Sequence, residues 1–159
     1  MDLDTAHTLR KLLQHRGVGA LGTLHRGDPA VSMVPYVVAA DGLQVFIHVS
    51  ALATHTADLQ RHRRVGLMVM AELQPDTPAQ ALPRVSLQAD ADVLPRDGAA
   101  YTAAKAAYLQ RFADAAVTFE LGDFAMVALR PVSARLVAGF GRAHSLVGEQ
   151  LRHWLADNP

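Results

Sequence analysis

A short segment in the first third of the chain concentrates side chains that can bind phosphate. Hydroxyl groups and an imidazole follow one another from Ser50 to Thr56, with His55 beside the last hydroxyl. We expect a strand to give way to a helix here. The N-terminus of a helix presents unpaired N–H groups and a partial positive charge, so it favours the binding of phosphate. The segment therefore predicts a phosphate cradle.

A proline on an earlier strand predicts a second part of the same site. This strand carries Ser32, Met33 and Val34 and then reaches Pro35. Proline cannot donate to a sheet ladder, so the strand should lie at an edge or a bulge and leave backbone groups free. Backbone N–H and C=O groups that are free beside small polar side chains can bind a planar heterocycle.

A β-meander must position these residues. The predicted strands cover residues 18–24, 30–39, 43–50 and 65–71, and a short helix holding His55 precedes the last of them. The turns fall at residues 26–29 and at Asp41-Gly42. Glycine supplies the positive φ that a tight turn needs, and the Asp-Gly pair predicts a two-residue hairpin loop.

The rest of the chain must cover or close this meander. Asp4 or Thr5 should cap a first helix that runs to about His15 and acts as a lid over one barrel end. Further on, the pattern predicts a loop at residues 72–83, strands at 84–93, 125–129 and 134–138, and helices at 99–112 and from Ser145. About six strands with no βαβ alternation favour a small antiparallel barrel.

The order of several motifs is similar to that of the FMN-binding split barrel of the pyridoxamine 5'-phosphate oxidase-like superfamily. The motifs are Leu21-Gly22-Thr23, Ser32-Met33-Val34-Pro35, the segment 50–59 and Arg64-Val65-Gly66-Leu67-Met68. Asp123-Phe124 and the segment 139–143 are most similar to its haem-utilisation (HugZ-type) branch. The resemblance implies a mainly β (α+β) protein, an antiparallel six-stranded split β-barrel with peripheral helices, as one domain over residues 1–159.

The resemblance also implies FMN as cofactor and assigns residues to it. The phosphate would lie near Ser50, His55, Thr56 and Arg64, and the flavin ring against the backbone of Met33, Val34 and Pro35 and against His48 and Val49. Gln88 would reach a flavin edge or a ribityl hydroxyl, or else face solvent. The oxidase pattern places cations where this chain has Ser32, Val37 and His55. That departure removes fixed positive charge and weakens the case for pyridoxamine-phosphate oxidation.

The resemblance implies a first function and leaves two others open. The first is a flavin-dependent oxidoreductase of unknown substrate, working as a homodimer with the cofactor at the interface and with no catalytic residue assigned. The second is a haem-binding or haem-degrading protein, with His144 as a weak axial-ligand candidate. The third is a non-catalytic flavin-binding or cofactor-free protein.

Composition restricts the alternatives. Fifteen basic and fifteen acidic residues cancel, so neither a nucleic-acid nor a membrane partner is indicated, although Arg61, His62, Arg63 and Arg64 could serve one anion. The absence of cysteine excludes thiolate chemistry, and no histidine spacing predicts a metal site. His7, His15, His25 and His153 are expected to be solvated. With no signal peptide or membrane span in the pattern, a cytoplasmic protein is expected.

Overall fold

The computed structural model describes residues 2–156, which form seven strands and five helices. The strands are β1 (Val18–His25), β2 (Asp28–Val38), β3 (Val45–Ser50), β4 (Arg64–Met70), β5 (Arg84–Val93), β6 (Phe124–Val137) and β7 (Ala143–Val147). The helices are α1 (Leu3–His15), α2 (Thr54–Arg61), α3 (Ala99–Arg111), α4 (Ala116–Phe119) and α5 (Gly148–Leu155). None of these helices is long and apolar enough to cross a bilayer.

Six of the strands close an antiparallel barrel. Their order is β3-β2-β1-β4-β5-β6, and pairing of β3 with β6 completes the ring, while β7 extends the sheet beyond β6. The long strand β6 makes both arrangements possible, because residues 124–129 pair with β3 and residues 133–137 pair with β7. The predicted six-stranded split barrel is therefore confirmed, with one strand more than expected.

Pro35 lies where β2 changes its neighbours. Residues 28–35 pair with β1, and pairing with β3 begins only at Tyr36. A residue without an N–H fits this boundary, and the free strand edge that the proline predicted is present in the described chain. Arg26 and Gly27 both adopt positive φ and form a tight turn, so β2 begins at Asp28 rather than at residue 30.

The second hairpin differs from the prediction. Residues 39–44 form a wider loop, and β3 begins at Val45 rather than at residue 43. The Asp41 carboxylate accepts a hydrogen bond from the Leu43 N–H at 2.9 Å, which turns the chain locally without a two-residue hairpin. Gly42 has a φ of 74° and lies against the backbone of Leu155, so a side chain there would collide with the end of α5.

The C-terminal third contains the largest corrections. A break at Pro131 was predicted between two strands, but β6 runs through it, because the register shifts opposite Gln88 and Ala89 and the strand absorbs the proline as an irregularity. Ser145 was expected to begin a helix, yet it lies in β7, and α5 starts at Gly148. A five-residue strand is too short for a period-two pattern to identify it.

The N-terminal helix is confirmed with a different cap. Asp2, rather than Asp4 or Thr5, accepts a hydrogen bond from the Thr5 N–H at 2.8 Å. Leu9, Leu12 and Leu13 join the barrel core, and the Tyr36 hydroxyl donates to the Leu13 carbonyl at 2.9 Å. Helix α1 therefore covers one end of the barrel, as expected.

Two apolar clusters stabilise the molecule. The larger one fills the barrel and includes Leu21, Ile47, Leu67, Leu87 and Leu136. The smaller one lies outside the barrel wall, where α3 and α4 cover β3 and the adjoining parts of β2 and β6, including Val37, Met126 and Ala128. The remaining wall, formed by β1, β4, β5, β7 and the other ends of β2 and β6, lies away from these two helices.

Candidate functional site

One outward side of the sheet presents two rows of side chains that no helix of the described chain covers. We call these twelve residues the outer face. The first row is Met33, Ala20, Met68, Ser86, Arg135 and Ser145; the second is Val31, Gly22, Gly66, Gln88, Ser133 and Val147. Because side chains alternate along a strand, their chain neighbours such as Leu21, Leu67 and Leu87 point into the barrel core. The pairing register therefore creates this surface.

Two glycines make the centre of the outer face flat. A Cβ at Gly22 would lie 3.8 Å from the Gly66 carbonyl oxygen, and a Cβ at Gly66 would lie 3.9 Å from the Leu87 carbonyl oxygen. Both are ordinary contact distances, and neither residue has a positive φ. Nothing in the described chain requires glycine at either position. A glycine within a strand marks a place where a ligand or another backbone approaches closely.

The half of the outer face on β2, β1 and β4 is apolar. Val31 is 75% exposed and Met33 is 67% exposed, although both are large hydrophobic residues. With Met68 and Met70 they line an open cavity of about 350 Å³, which Val18, Ser32 and the cationic side chain of Arg16 also border. A contiguous exposed apolar patch of this kind marks an interaction or ligand-binding surface.

The half on β5, β6 and β7 is mostly polar. The Ser133 hydroxyl donates to the Gln88 side-chain oxygen at 3.3 Å, and the Arg135 guanidinium donates to the Ser145 hydroxyl at 2.8 Å. These residues, with Ser86 and Val147, line a cavity of about 250 Å³. Arg135 is the one charged residue among the twelve of the outer face. The face as a whole is amphipathic.

The strand-to-helix turn that was predicted to be a phosphate cradle is present at residues 50–56. Its hydroxyl groups, however, already form hydrogen bonds within the protein. The Ser50 hydroxyl accepts from the Leu52 N–H and donates to the Asp123 carboxylate, each at 3.1 Å. The Thr56 hydroxyl donates to the Ser50 carbonyl at 2.6 Å. Asp123 thus stabilises this turn.

The predicted cationic partners of the cradle are also committed or uncharged. The Arg64 guanidinium donates to both oxygens of the Asp90 carboxylate, at 2.7 and 3.4 Å. Burial lowers the pKa of His55, which favours its neutral form, although Asp58 opposes this shift. None of the predicted phosphate ligands therefore offers an uncommitted positive charge. A phosphate bound here would compete with Asp90 for the Arg64 guanidinium.

His48 lies in an aromatic cage beneath α3 and α4. Its ring stacks on Phe119 with centroids 3.8 Å apart, and Tyr108 and Phe124 approach it from the sides. The Thr118 hydroxyl donates to the Ala115 carbonyl, so the His48 Nδ1–H must donate to Thr118 at 3.2 Å. Burial, aided by nearby Arg96 and Lys105, lowers the pKa of His48 to about 4. The imidazole is neutral at physiological pH.

The structure distributes the remaining predicted residues over different surfaces. Met33 and Gln88 lie on the outer face, and Ser32 contributes to the 350 Å³ cavity next to it. Val34 and Val49 point into the barrel core. His144 pairs with Leu136, so it lies on the opposite side of β7 from Ser145 and apart from the outer face.

A buried charged cluster was not predicted from the sequence. Asp58 is 1% exposed, and its carboxylate contacts His25 Nδ1 at 2.9 Å and accepts from the Thr23 hydroxyl at 3.3 Å. His25 was expected to be solvated and is instead half-buried in this pair. The three residues come from β1 and α2, so only their spatial proximity reveals the cluster. The one available signal was an acidic residue on the apolar side of a short helix.

The described residues contain no group of three or more histidine, aspartate or glutamate side chains arranged to hold a metal ion. The candidate site is a surface of the barrel. It combines an apolar half, flattened by two glycines, with a polar half that carries the cation Arg135.

Comparison with known proteins places this geometry in a family. Residues 5–138 match the family model described as pyridoxamine 5'-phosphate oxidase. The chain is 29% identical to the Vibrio cholerae protein named Heme oxygenase HutZ over 143 residues, which are 89% of this chain and 77% of that protein.

Solved structures show the same fold. A structure described as a heme binding protein from Mycobacterium smegmatis superposes with a TM-score of 0.84 and 29% identity; it matches 96% of this chain, which spans 62% of that longer one. A structure of HutZ from Vibrio cholerae, described as a heme storage protein, superposes with a TM-score of 0.70 at 23% identity, over 87% of this chain and 91% of that one. With the family model matching most of its length, this chain belongs to the pyridoxamine 5'-phosphate oxidase family of split barrels.

Proposed function

We propose that this protein binds haem, as a homodimer, and serves haem utilisation rather than pyridoxamine-phosphate oxidation. The observation that carries the proposal is the outer face, in which an apolar half lies directly beside a polar half that carries one charge. Haem is a planar apolar ring with two carboxylates at one edge, and an amphipathic face suits that chemistry. The names of the Vibrio and Mycobacterium relatives support the same reading.

FMN is less well supported than haem as the ligand, because its phosphate needs a binding site. Phosphate binding needs free N–H groups or cations. The first turn of α2 has no side-chain cap, but the hydroxyls of Ser50 and Thr56 and the guanidinium of Arg64 already have protein partners. Haem has no phosphate, so its binding does not require the predicted cradle. Flavin-dependent oxidoreduction, which the family description suggests, stays the alternative function.

The apolar half of the outer face supports pairing with a second copy of the chain. Most homodimers use the same patch on both subunits, related by a two-fold axis. Pairing of the β2, β1 and β4 surfaces would bury Val31, Met33 and Met68 and let the backbones approach at the two glycines. The polar half of each copy would then lie at the rim of the interface. A groove at that rim has one polar wall and one apolar wall.

The apolar residues that border this groove would protect the haem ring from water. Val31 and Met33, where they border the groove, would exclude water from the ring. When bound, haem would supply redox chemistry that the described residues alone do not offer. No residue of the chain is assigned a proton-transfer role.

Titration of the purified protein with haemin tests the proposal. We expect a saturable Soret band shift with one haem per chain, together with a dimer mass by light scattering. A parallel titration with FMN, followed by flavin fluorescence, should show no saturable quenching. Tight FMN binding without a Soret shift would refute the haem reading and restore the flavin one.

A further inference from the structure

Arg135 differs from three other arginines of the barrel wall, which are paired with carboxylates, and from Arg84, which donates to the backbone carbonyls of Gln80 and Leu82. Arg64 binds Asp90, while Arg63 and Arg130 both bind Asp92. Arg135 has no carboxylate partner among the described residues, and its side chain donates there only to the Ser145 hydroxyl. Its charge is therefore available to an anion from outside the chain.

The neighbours of Arg135 suit a carboxylate. Ser86 on β5 and Ser145 on β7 lie directly opposite it in the register, one on each side. Serine hydroxyls can donate hydrogen bonds, and the planar guanidinium can bind a carboxylate with two parallel N–H groups. All three residues line the same cavity of about 250 Å³.

The polar cluster borders directly on the apolar half. Met68 pairs with Ser86, and Gly66 pairs with Gln88. Adjacent strands lie about 4.8 Å apart, so a ligand needs to extend over only one or two strand spacings to meet both surfaces. This juxtaposition selects molecules that have an apolar body and an anionic edge.

We propose that Arg135, flanked by Ser86 and Ser145, binds the carboxylates of a planar amphipathic ligand whose ring lies against the apolar part of the groove. The inference rests on the proposed haem function and deepens it, because it assigns the propionate groups to named residues. Arg135 then determines both the orientation of the ligand and the preference for free carboxylates over esters.

The test compares Arg135→Gln with the wild-type protein and uses Arg152→Gln as a matched control. Arg152 is an exposed arginine on α5, outside the outer face. The probes are haemin, haemin dimethyl ester, in which both propionates are esterified, and iron-free protoporphyrin IX. Urea unfolding checks that each variant is folded, and Arg135→Lys tests whether a cation alone restores binding.

We expect Arg135→Gln to weaken haemin and protoporphyrin IX about tenfold, as the loss of a charge-assisted hydrogen bond predicts. The dimethyl ester should bind equally to wild type and Arg135→Gln, Arg152→Gln should bind like wild type, and Arg135→Lys should recover part of the affinity.

Two results separate the inference from the proposed function. If haemin binds tightly and Arg135→Gln leaves its affinity unchanged, or weakens the ester to the same degree, the carboxylate assignment is overturned while haem binding stands. If haemin gives no Soret shift but protoporphyrin IX binds in an Arg135-dependent way, the carboxylate site stands and the haem function is overturned.

Discussion

The substitution Gly66→Val tests the role of the outer face most directly. A valine Cβ at this position would lie 3.9 Å from the nearest atom, the Leu87 carbonyl oxygen, so the isolated barrel has room for it. Replacing a strand glycine by a residue with high β propensity should stabilise the folded chain by about 0.5–1 kcal/mol. The fold is therefore expected to tolerate the change or to benefit from it.

The proposed dimer should respond in the opposite direction. Forcing side-chain volume into a well-packed contact costs about 1–3 kcal/mol, and a two-fold interface contains the substitution twice. Dimerisation should therefore weaken by about 2–6 kcal/mol, which is roughly 30-fold to more than 10⁴-fold. Sedimentation equilibrium measures this constant, while urea unfolding measures the stability of the chain.

A matched control exists in the same chain. Gly122 also has open space where a side chain would lie and no positive φ, but it belongs to the loop before β6. Gly122→Val should leave association unchanged. A dimer that is equally strong in wild type and Gly66→Val, with both proteins folded, would refute the argument that the glycines leave room for a second copy.

Three further predictions concern the buried polar groups. Asp58→Asn should destabilise the fold by about 1–3 kcal/mol in urea unfolding, since it uncouples His25 and Thr23 from a buried carboxylate; Asp97→Asn, at an exposed turn, should change stability by less than about 0.5 kcal/mol. Tyr36→Phe removes the hydrogen bond to the Leu13 carbonyl and should cost about 1 kcal/mol, and an unchanged urea midpoint would contradict this. The pKa of His48 is about 4 in the folded chain and 6.5 in the unfolded chain, so the unfolded chain binds more protons between these two pH values. The contribution of His48 to the free energy of unfolding is therefore complete above pH 6.5 and is lost as the pH falls towards 4. His48→Gln should remove about 2 kcal/mol of that pH dependence, and equal slopes for both proteins between about pH 4.5 and 7 would show that His48 is not its source.

The fold was largely predictable because its information is local. Alternating apolar residues define β5 at the bounds that the sequence predicts, and the Arg26-Gly27 turn forms the expected hairpin. The differences occur where tertiary contacts override local signals. Pro131 does not end its strand, because the register shift absorbs it, and β7 exists only because β6 offers it an edge.

The site was less predictable for a different reason. The sequence singled out residues by type, and type alone does not reveal which groups are already hydrogen-bonded. Ser50, Thr56 and Arg64 have the chemistry for phosphate, but partners up to 73 positions away in the chain occupy them. His25 and Asp58 look unremarkable in sequence and form a buried pair in space.

By itself the sequence determined that this chain folds as a small antiparallel barrel with an exposed-edge strand at Pro35, because turn residues and side-chain alternation act over short distances. Only the tertiary structure decided what the surface of that barrel offers. Strand register aligns Gly22 with Gly66, and Ser86 with Arg135 and Ser145, across segments far apart in the chain. A flat apolar half beside one arginine without a carboxylate partner in the described chain is a property of that alignment, and no single segment contains it.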